Sequence, residues 1–163
     1  MTYDVGIIGS GPAGLSAAIY AKRANLSAVV IEKEYEGTGQ IAESGQVDNY
    51  LGLPGISGYD LGEQFREHAV KLGVSFLEQE VTEIKKEDSA VFTIIFEDGS
   101  SVEAKTVIYA AGATPRRANI PGEQEYSGKG VSYCAICDGS FYRGKKVAVL
   151  GGGDTALDDA VYL

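Results

Sequence analysis

The chain holds two cysteines, Cys134 and Cys137, separated by two residues and followed at once by Asp138. Two thiols at that spacing can close a small disulfide ring, and neighbouring charges and backbone dipoles set their acidity and redox potential. A carboxyl group directly after the pair can deliver or take up the thiol proton, so Asp138 is a candidate general acid or base. A closed zinc site needs four ligands, and beyond the two cysteines the sequence offers one distant histidine, His68. Redox chemistry is therefore expected, and no metal ligand is assigned. A bare CxxC can also mark a thioredoxin-like domain, but the glycine-rich loops on either side of the pair do not fit one.

A second constellation lies near the start. A short apolar run (Val5, Ile7, Ile8) passes directly into Gly9-Ser10-Gly11-Pro12-Ala13-Gly14, a helical stretch follows, and a second β-branched run, Val29 to Ile31, closes on Glu32. Each glycine answers a steric demand: Gly9 for the tight turn off the strand, Gly11 for close approach of backbone to a pyrophosphate, Gly14 for close packing of helix on sheet. Pro12 suits the first position of the helix, where a missing N–H costs nothing. The free N–H groups and the dipole at that end favour an anion. Glu32 stands where the dinucleotide fingerprint places an acid for both ribose hydroxyls, and it would repel a 2′-phosphate. The loop alone leaves NAD and FAD equally open. A third glycine-rich loop, Gly151-Gly152-Gly153-Asp154-Thr155-Ala156, follows the apolar residues 147–150 and reads as a second dinucleotide fingerprint, continued by helix from Asp158 to the last residue, Leu163. The acid or arginines that would identify its ligand are not among the 163 residues.

These residues need a scaffold, and the intervening pattern supplies a strand, helix, strand start to an α/β fold. A glycine-rich turn, Tyr35 to Ile41, leads into a long connector rich in Gly, Ser and Asn up to Pro54 and Gly58, expected to be structureless. Here the amides near Gly39 and Gln40 and the side chain of Asn49 can reach a second phosphate or a ribityl chain; a solvated loop with Asx turns fits the composition equally well. Leu61, Phe65, Ala69 and Leu72 recur at helical spacing, and Gly73 ends that helix. His68 flanks the stripe without a partner nearby in sequence and reads as a surface or boundary residue. Short strands are expected at 74–77 and 81–84, then a charged turn at 85–88. A hairpin follows, with Phe92, Ile94 and Phe96 alternating before the Asp98-Gly99 turn and a return strand toward Val102, read as an antiparallel insertion. Residues 106–113 return to the style of a buried strand, and 115–122 (PRRANIPG) look like a linker, with a domain boundary between 112 and 121.

With 163 residues and a net charge of −9, the chain has room for one full domain, and its charge argues against a nucleic-acid or anionic-membrane partner. It lacks a long apolar stretch and a signal-peptide pattern, so a cytoplasmic location without a membrane is expected.

Taken together, GSGPAG with Glu32, the TGQ turn with Asn49, the strand ending in AAGATPR, and CAICDG before GGGDTA resemble the low-molecular-weight, bacterial type of thioredoxin reductase, a flavin disulfide reductase, along the whole chain. The CxxC lying just before the second loop separates that type from relatives with N-terminal cysteines. The resemblance implies a Rossmann-like FAD-binding domain (residues 1–114) carrying an antiparallel β insertion, followed by the start of an NADPH-binding domain with the cysteines (residues 115–163). It implies that Gly9, Ser10, Gly11, Ala13, Gly14, Glu32, Gly39, Gln40, Asn49, Ala111 and Gly112 contact FAD, with Pro12, Lys33, Ile41 and Val81 lining the same site. Gly151, Gly153, Asp154, Thr155 and Ala156 would begin the NADPH loop. Cys134 and Cys137 would form the redox disulfide, with Cys137 nearer the flavin, Cys134 attacking the substrate, and Asp138 as the acid. The implied function is NADPH-dependent reduction of a thioredoxin disulfide by a homodimer. The alternatives are a related reductase drawing on ferredoxin or serving a peroxiredoxin, or an FAD-binding fragment without turnover. Thr38 departs from the glycine usual in the family. The arginines for a 2′-phosphate and the segment completing the FAD domain lie outside these residues, so the resemblance implies about half of a longer chain.

Overall fold

The computed structural model describes residues 2–34, 39–86 and 90–163. The first part of the glycine-rich turn, with Thr38, and part of the charged turn expected at 85–88 lie outside the described residues. The chain divides into two compact units, Met1–Gly112 and Ala113–Leu163.

The first unit is α/β, built on a six-stranded sheet. Its strands are β1 (Thr2–Ile8), β2 (Ala28–Glu32), β3 (Ser75–Glu78), β4 (Val81–Lys85), β5 (Phe92–Phe96) and β6 (Ser101–Tyr109), in the order β3-β2-β1-β6-β5-β4. The β1, β2, β3 and β6 strands run parallel, while β5 and β4 fold back antiparallel. Helix α1 (Pro12–Arg23) connects β1 to β2, and α2 (Gly58–Lys71) precedes β3.

Alternation along the strands builds a core on each face. Val5, Ile7, Ala28 and Val30 pack with Leu15, Ala18 and Ala21 of α1 and Ala69 of α2. Ile8, Val29 and Ile31 pack on the other face with Ile94, Phe96 and Ala104 from the hairpin side. Every residue of β2 is buried, which is why it reads as an unbroken apolar run. Ser57 caps α2: its hydroxyl accepts the Asp60 N–H at 3.0 Å and donates to the Asp60 carboxylate at 2.7 Å. At the far end of the sheet Asp4 accepts from Ser27 and from Lys105 Nζ at 2.7 Å. The Lys105 contact, with help from Ser27, holds the Asp4 carboxyl well below the usual carboxylate range.

Three expectations for the first unit change. The connector is not structureless: it holds a 3-10 turn at Gly39–Glu43 and an antiparallel bridge between Val47 and Ile56, which satisfy backbone groups that a bare loop would leave to water. The return strand of the hairpin and the expected strand at 106–113 are largely one element, β6, whose first half pairs antiparallel with β5 and whose length pairs parallel with β1. The antiparallel insertion, β4 and β5, thus extends the main sheet beside β6. Thr106, Ile108 and Tyr109 are exposed, so β6 is not the buried strand its composition suggests.

The second unit contains α3 (Ala135–Asp138), a 3-10 turn at Gly139–Tyr142, and α4 (Asp154–Tyr162). The strand expected at 147–150 is not formed: no described residue pairs with it in a ladder, and Val147, Val149 and Leu150 are exposed. An extended segment becomes a strand only when a neighbour takes its N–H and C=O groups.

Candidate functional site

The first glycine loop sits where β1, β2 and β6 end. The Gly9 N–H donates to Ile31 O at 2.8 Å and the Ala110 N–H to Ile8 O at 2.8 Å, which draws residues 9, 31 and 110 together. The connections run from β1 outward to β2 and β3, whereas β6 joins the opposite side of β1, so the loop lies at the topological switch point where α/β sheets take their ligands. Close packing makes the glycines necessary. A Cβ on Gly9 would stand 2.3 Å from Ala110 O and 3.1 Å from Ala111 Cα, and one on Gly14 would stand 1.9 Å from Gly9 O. Gly11 is the N-cap of α1 in an extended conformation and Pro12 opens the helix. No side chain caps that end and its first turn has no acidic residue, so the N–H groups of Ala13 and Gly14 meet no fixed carboxylate. Ser10 and Ala13 complete the loop. This is a cradle whose uncapped helix N-terminus and closely packed glycines suit the pyrophosphate of a dinucleotide, and those residues fit the adenosine diphosphate half of FAD.

Glu32 closes the cradle at the end of β2 and is buried. Both its oxygens are held: Arg66 of α2 donates Nη1–H to Oε2 and Nη2–H to Oε1, each at 2.7 Å, with the side chains 15% and 5% exposed for Arg66 and Glu32. The Arg66 guanidinium lies 4.3 Å from the centre of the Phe76 ring on β3. Sequence reading missed Arg66. The available signal was its place on α2, four residues after buried Gly62 and three before buried Ala69, a row on which an arginine requires a partner. Lys33 turns outward to Glu80 at 2.9 Å, which raises its pKa.

The remaining expected contacts are spread more widely. Gly39, Gln40 and Ile41 share the 3-10 turn, which the N-terminus of α2 backs: the Gly58 N–H donates to Ser44 O at 2.8 Å, and a Cβ on Gly58 would stand 1.7 Å from Ile41 O. Gly58 is a second residue that sequence reading passed over. Asn49 is exposed in the bend that follows, as are Ala111 and Gly112 beyond β6, while Val81 on edge strand β4 packs against the cluster containing Ile8 and Ile31. His68 is exposed.

In the second unit Cys134 and Cys137 are joined in a disulfide, their Cα atoms 5.3 Å apart. Cys134 is the N-cap of α3, and its Sγ accepts the Cys137 N–H at 3.2 Å. Cys134 is half-buried and Cys137 exposed. Ser132, also missed, links the pair to the acid: its Oγ accepts the Cys134 N–H at 3.0 Å and donates to Asp138 Oδ2 at 2.5 Å. The loop before the cysteines is anchored by Glu123, a buried carboxylate that accepts from the Tyr133 hydroxyl at 2.5 Å and the Ala118 N–H at 2.8 Å. Those donors, the Tyr133 hydroxyl first, hold the Glu123 carboxyl below its ordinary range, and Glu123 in turn pushes the Tyr133 phenol up. The second glycine loop leads into α4 with Gly153 as N-cap and Asp154 in the first turn. Gly151, Gly153, Asp154 and Thr155 are exposed and Ala156 is half-buried.

No described helix is long and apolar enough to cross a membrane. The family model for pyridine nucleotide-disulphide oxidoreductases matches residues 3–163. The chain is 48% identical over 162 residues to the thioredoxin reductase of Helicobacter pylori strain J99, covering 98% of this chain and 51% of that protein. It is 44% identical over 161 residues to that of Bacillus subtilis strain 168, covering 99% and 50%. The crystal structure of thioredoxin reductase from Streptococcus pyogenes MGAS5005 superposes with a TM-score of 0.88 at 44% identity, over 99% of this chain and 52% of that one. The chain thus spans about half the length of these relatives. With its cradle, its CxxC and these likenesses in one sequence, it belongs to the pyridine nucleotide-disulphide oxidoreductase family, among relatives that are thioredoxin reductases.

Proposed function

We propose that the full-length protein reduces the disulfide of thioredoxin, or of a thioredoxin-like protein, with NADPH as electron source and FAD held in the 9–14 cradle. The observation that carries this reading is the Cys134–Cys137 disulfide, capped within α3 and linked through Ser132 to Asp138. Bound FAD supplies a two-electron relay between the nicotinamide and that disulfide. Two electrons and two protons open the Cys134–Cys137 bond to a dithiol. The Cys137 N–H donates to Cys134 Sγ at 3.2 Å, a contact that orients that sulfur at the start of α3. Cys134 then attacks a sulfur of the partner disulfide, breaking that bond and forming a mixed disulfide. Cys137 resolves it, closing the ring again and releasing the partner as a dithiol. Asp138 takes the proton from the attacking pair and returns one to the departing thiolate. A homodimer in the cytoplasm remains part of this reading, as do Gly151, Gly153, Asp154, Thr155 and Ala156 as the start of the NADPH loop.

The full-length protein is expected to oxidise NADPH in the presence of oxidised thioredoxin. In it, Cys137→Ser should trap a mixed disulfide between Cys134 and thioredoxin, visible by mass spectrometry, whereas Cys134→Ser should trap none. Equal trapping by both variants refutes the division of labour, and trapping only by Cys134→Ser reverses it.

A further inference from the structure

We propose that Arg66 is a positioning residue for the adenosine ribose, acting through Glu32; this rests on the reading that FAD occupies the 9–14 cradle. A carboxylate offers about four acceptor positions on its two oxygens. Arg66 takes one on each oxygen through its two parallel N–H···O contacts, both 2.7 Å. One acceptor position per oxygen remains, the number needed by the two hydroxyls of a vicinal diol. The fork fixes the plane of the carboxylate as well as its charge, which a single-point cation cannot do.

The surroundings support a dedicated role. Phe76 lies against the guanidinium, so the fork is held from behind. The other charged groups around Glu32 do not substitute for it. Glu78 lies beside Glu32 in the β2/β3 register, Lys33 is engaged by Glu80, and along α2 Glu67 is paired with Lys71. Arg66 also sits on the helix whose first residue, Gly58, packs against Ile41, so one element places both the carboxylate and the 39–43 turn. Because the guanidinium is committed to Glu32, the pair selects an adenosine with both hydroxyls free over one carrying a 2′-phosphate.

The test compares FAD with its 2′-deoxyadenosine analogue, each titrated into the full-length apoprotein and followed by flavin fluorescence, with apoprotein unfolding measured in parallel. Wild type should bind FAD about tenfold or more tighter than the analogue, the worth of one hydrogen bond to a charged acceptor. Arg66→Met should weaken FAD binding by a similar factor and bring the ratio between the two ligands close to one. Arg66→Lys, which keeps the charge without the fork, should recover part of the affinity and part of the ratio. If Arg66→Met weakens both ligands equally and keeps the wild-type ratio, or if Arg66→Lys matches wild type in both affinity and ratio, the proposal is overturned while the FAD reading stands. If the wild type binds no FAD, or binds it without discriminating the analogue, the underlying reading fails and takes the proposal with it.

Discussion

The two glycine-rich loops share a spacing, Gly-x-Gly-x-x-Gly at 9–14 and Gly-x-Gly-x-x-Ala at 151–156, and differ in what surrounds them. The first is hemmed in by strand ends: Gly9 meets the backbone of Ala110, and Gly14 meets Gly9 itself. At the second, the position matching Gly14 is Ala156, which already carries a Cβ; a Cβ on Gly151, matching Gly9, would meet the Ala156 side chain at 3.0 Å, and Gly153 has nothing within 4 Å of where one would be. The preceding run is a paired strand in one case and an unpaired segment in the other. A glycine motif is therefore a permission and not a site. The flanking strands turn it into a cradle by bringing backbone so close that a side chain has no room.

The widest separation between the loops should appear in turnover. Residues 1–163 produced alone are expected to oxidise NADPH no faster than a protein-free blank, because residues 147–150 lack the ladder that would hold the second loop in shape. Turnover comparable to that of the full-length protein would abolish the contrast. Next in size is a matched pair of substitutions in the full-length protein. Gly14→Ala forces a Cβ to within 1.9 Å of Gly9 O and should cost about 1–3 kcal/mol or more, with loss of bound flavin. Ala156→Gly should cost only about 0.5–1 kcal/mol, through backbone entropy in the first turn of α4. Thermal unfolding and flavin absorbance of the two variants measure the difference, and equal effects would show the loops to be equally packed.

The smallest effect concerns pH. Glu123 is held below its ordinary value, so its contribution is complete above the ordinary glutamate range and is lost as pH falls through the lowered one. Tyr133 is raised, so its contribution is complete below the ordinary phenol range and is lost as pH climbs through the raised one. Limited proteolysis of the segment before the cysteines should accelerate at both extremes. Glu123→Gln should flatten the acid limb and Tyr133→Phe the alkaline limb, and limbs that persist in these variants would place the anchor elsewhere.

Legibility in the sequence followed the range of each interaction. The β1-loop-α1-β2 unit ending at Glu32 could be read directly because its determinants are neighbours: apolar alternation, the turn, Pro12 at the helix start and the acid at the strand end. The α2 stripe of Leu61, Phe65 and Ala69 was equally local. The single identity of β6 was hidden because its two halves answer different partners. Ala104 faces the core beside polar Glu103 and Lys105, which reads as an interruption until β1 and β5 are both in place. Arg66 was invisible for a related reason: its partner lies 34 positions away and belongs to no motif. Ser132 and Glu123 define their sites through backbone N–H groups and a phenol, contacts that leave no compositional trace.

The arrangement of β1 also has a consequence in time. Its first edge pairs with β2 as soon as about thirty residues exist, but its second edge waits for β6, whose partners lie 101 positions further on. A ribosome adding roughly 5–20 residues per second leaves that edge open for on the order of 5–20 s. For that interval the nascent chain displays an unpaired row of backbone N–H and C=O groups beside Ile7 and Ile8, the kind of template on which stray strands add. Only when Tyr109 has emerged can the middle of the sheet close.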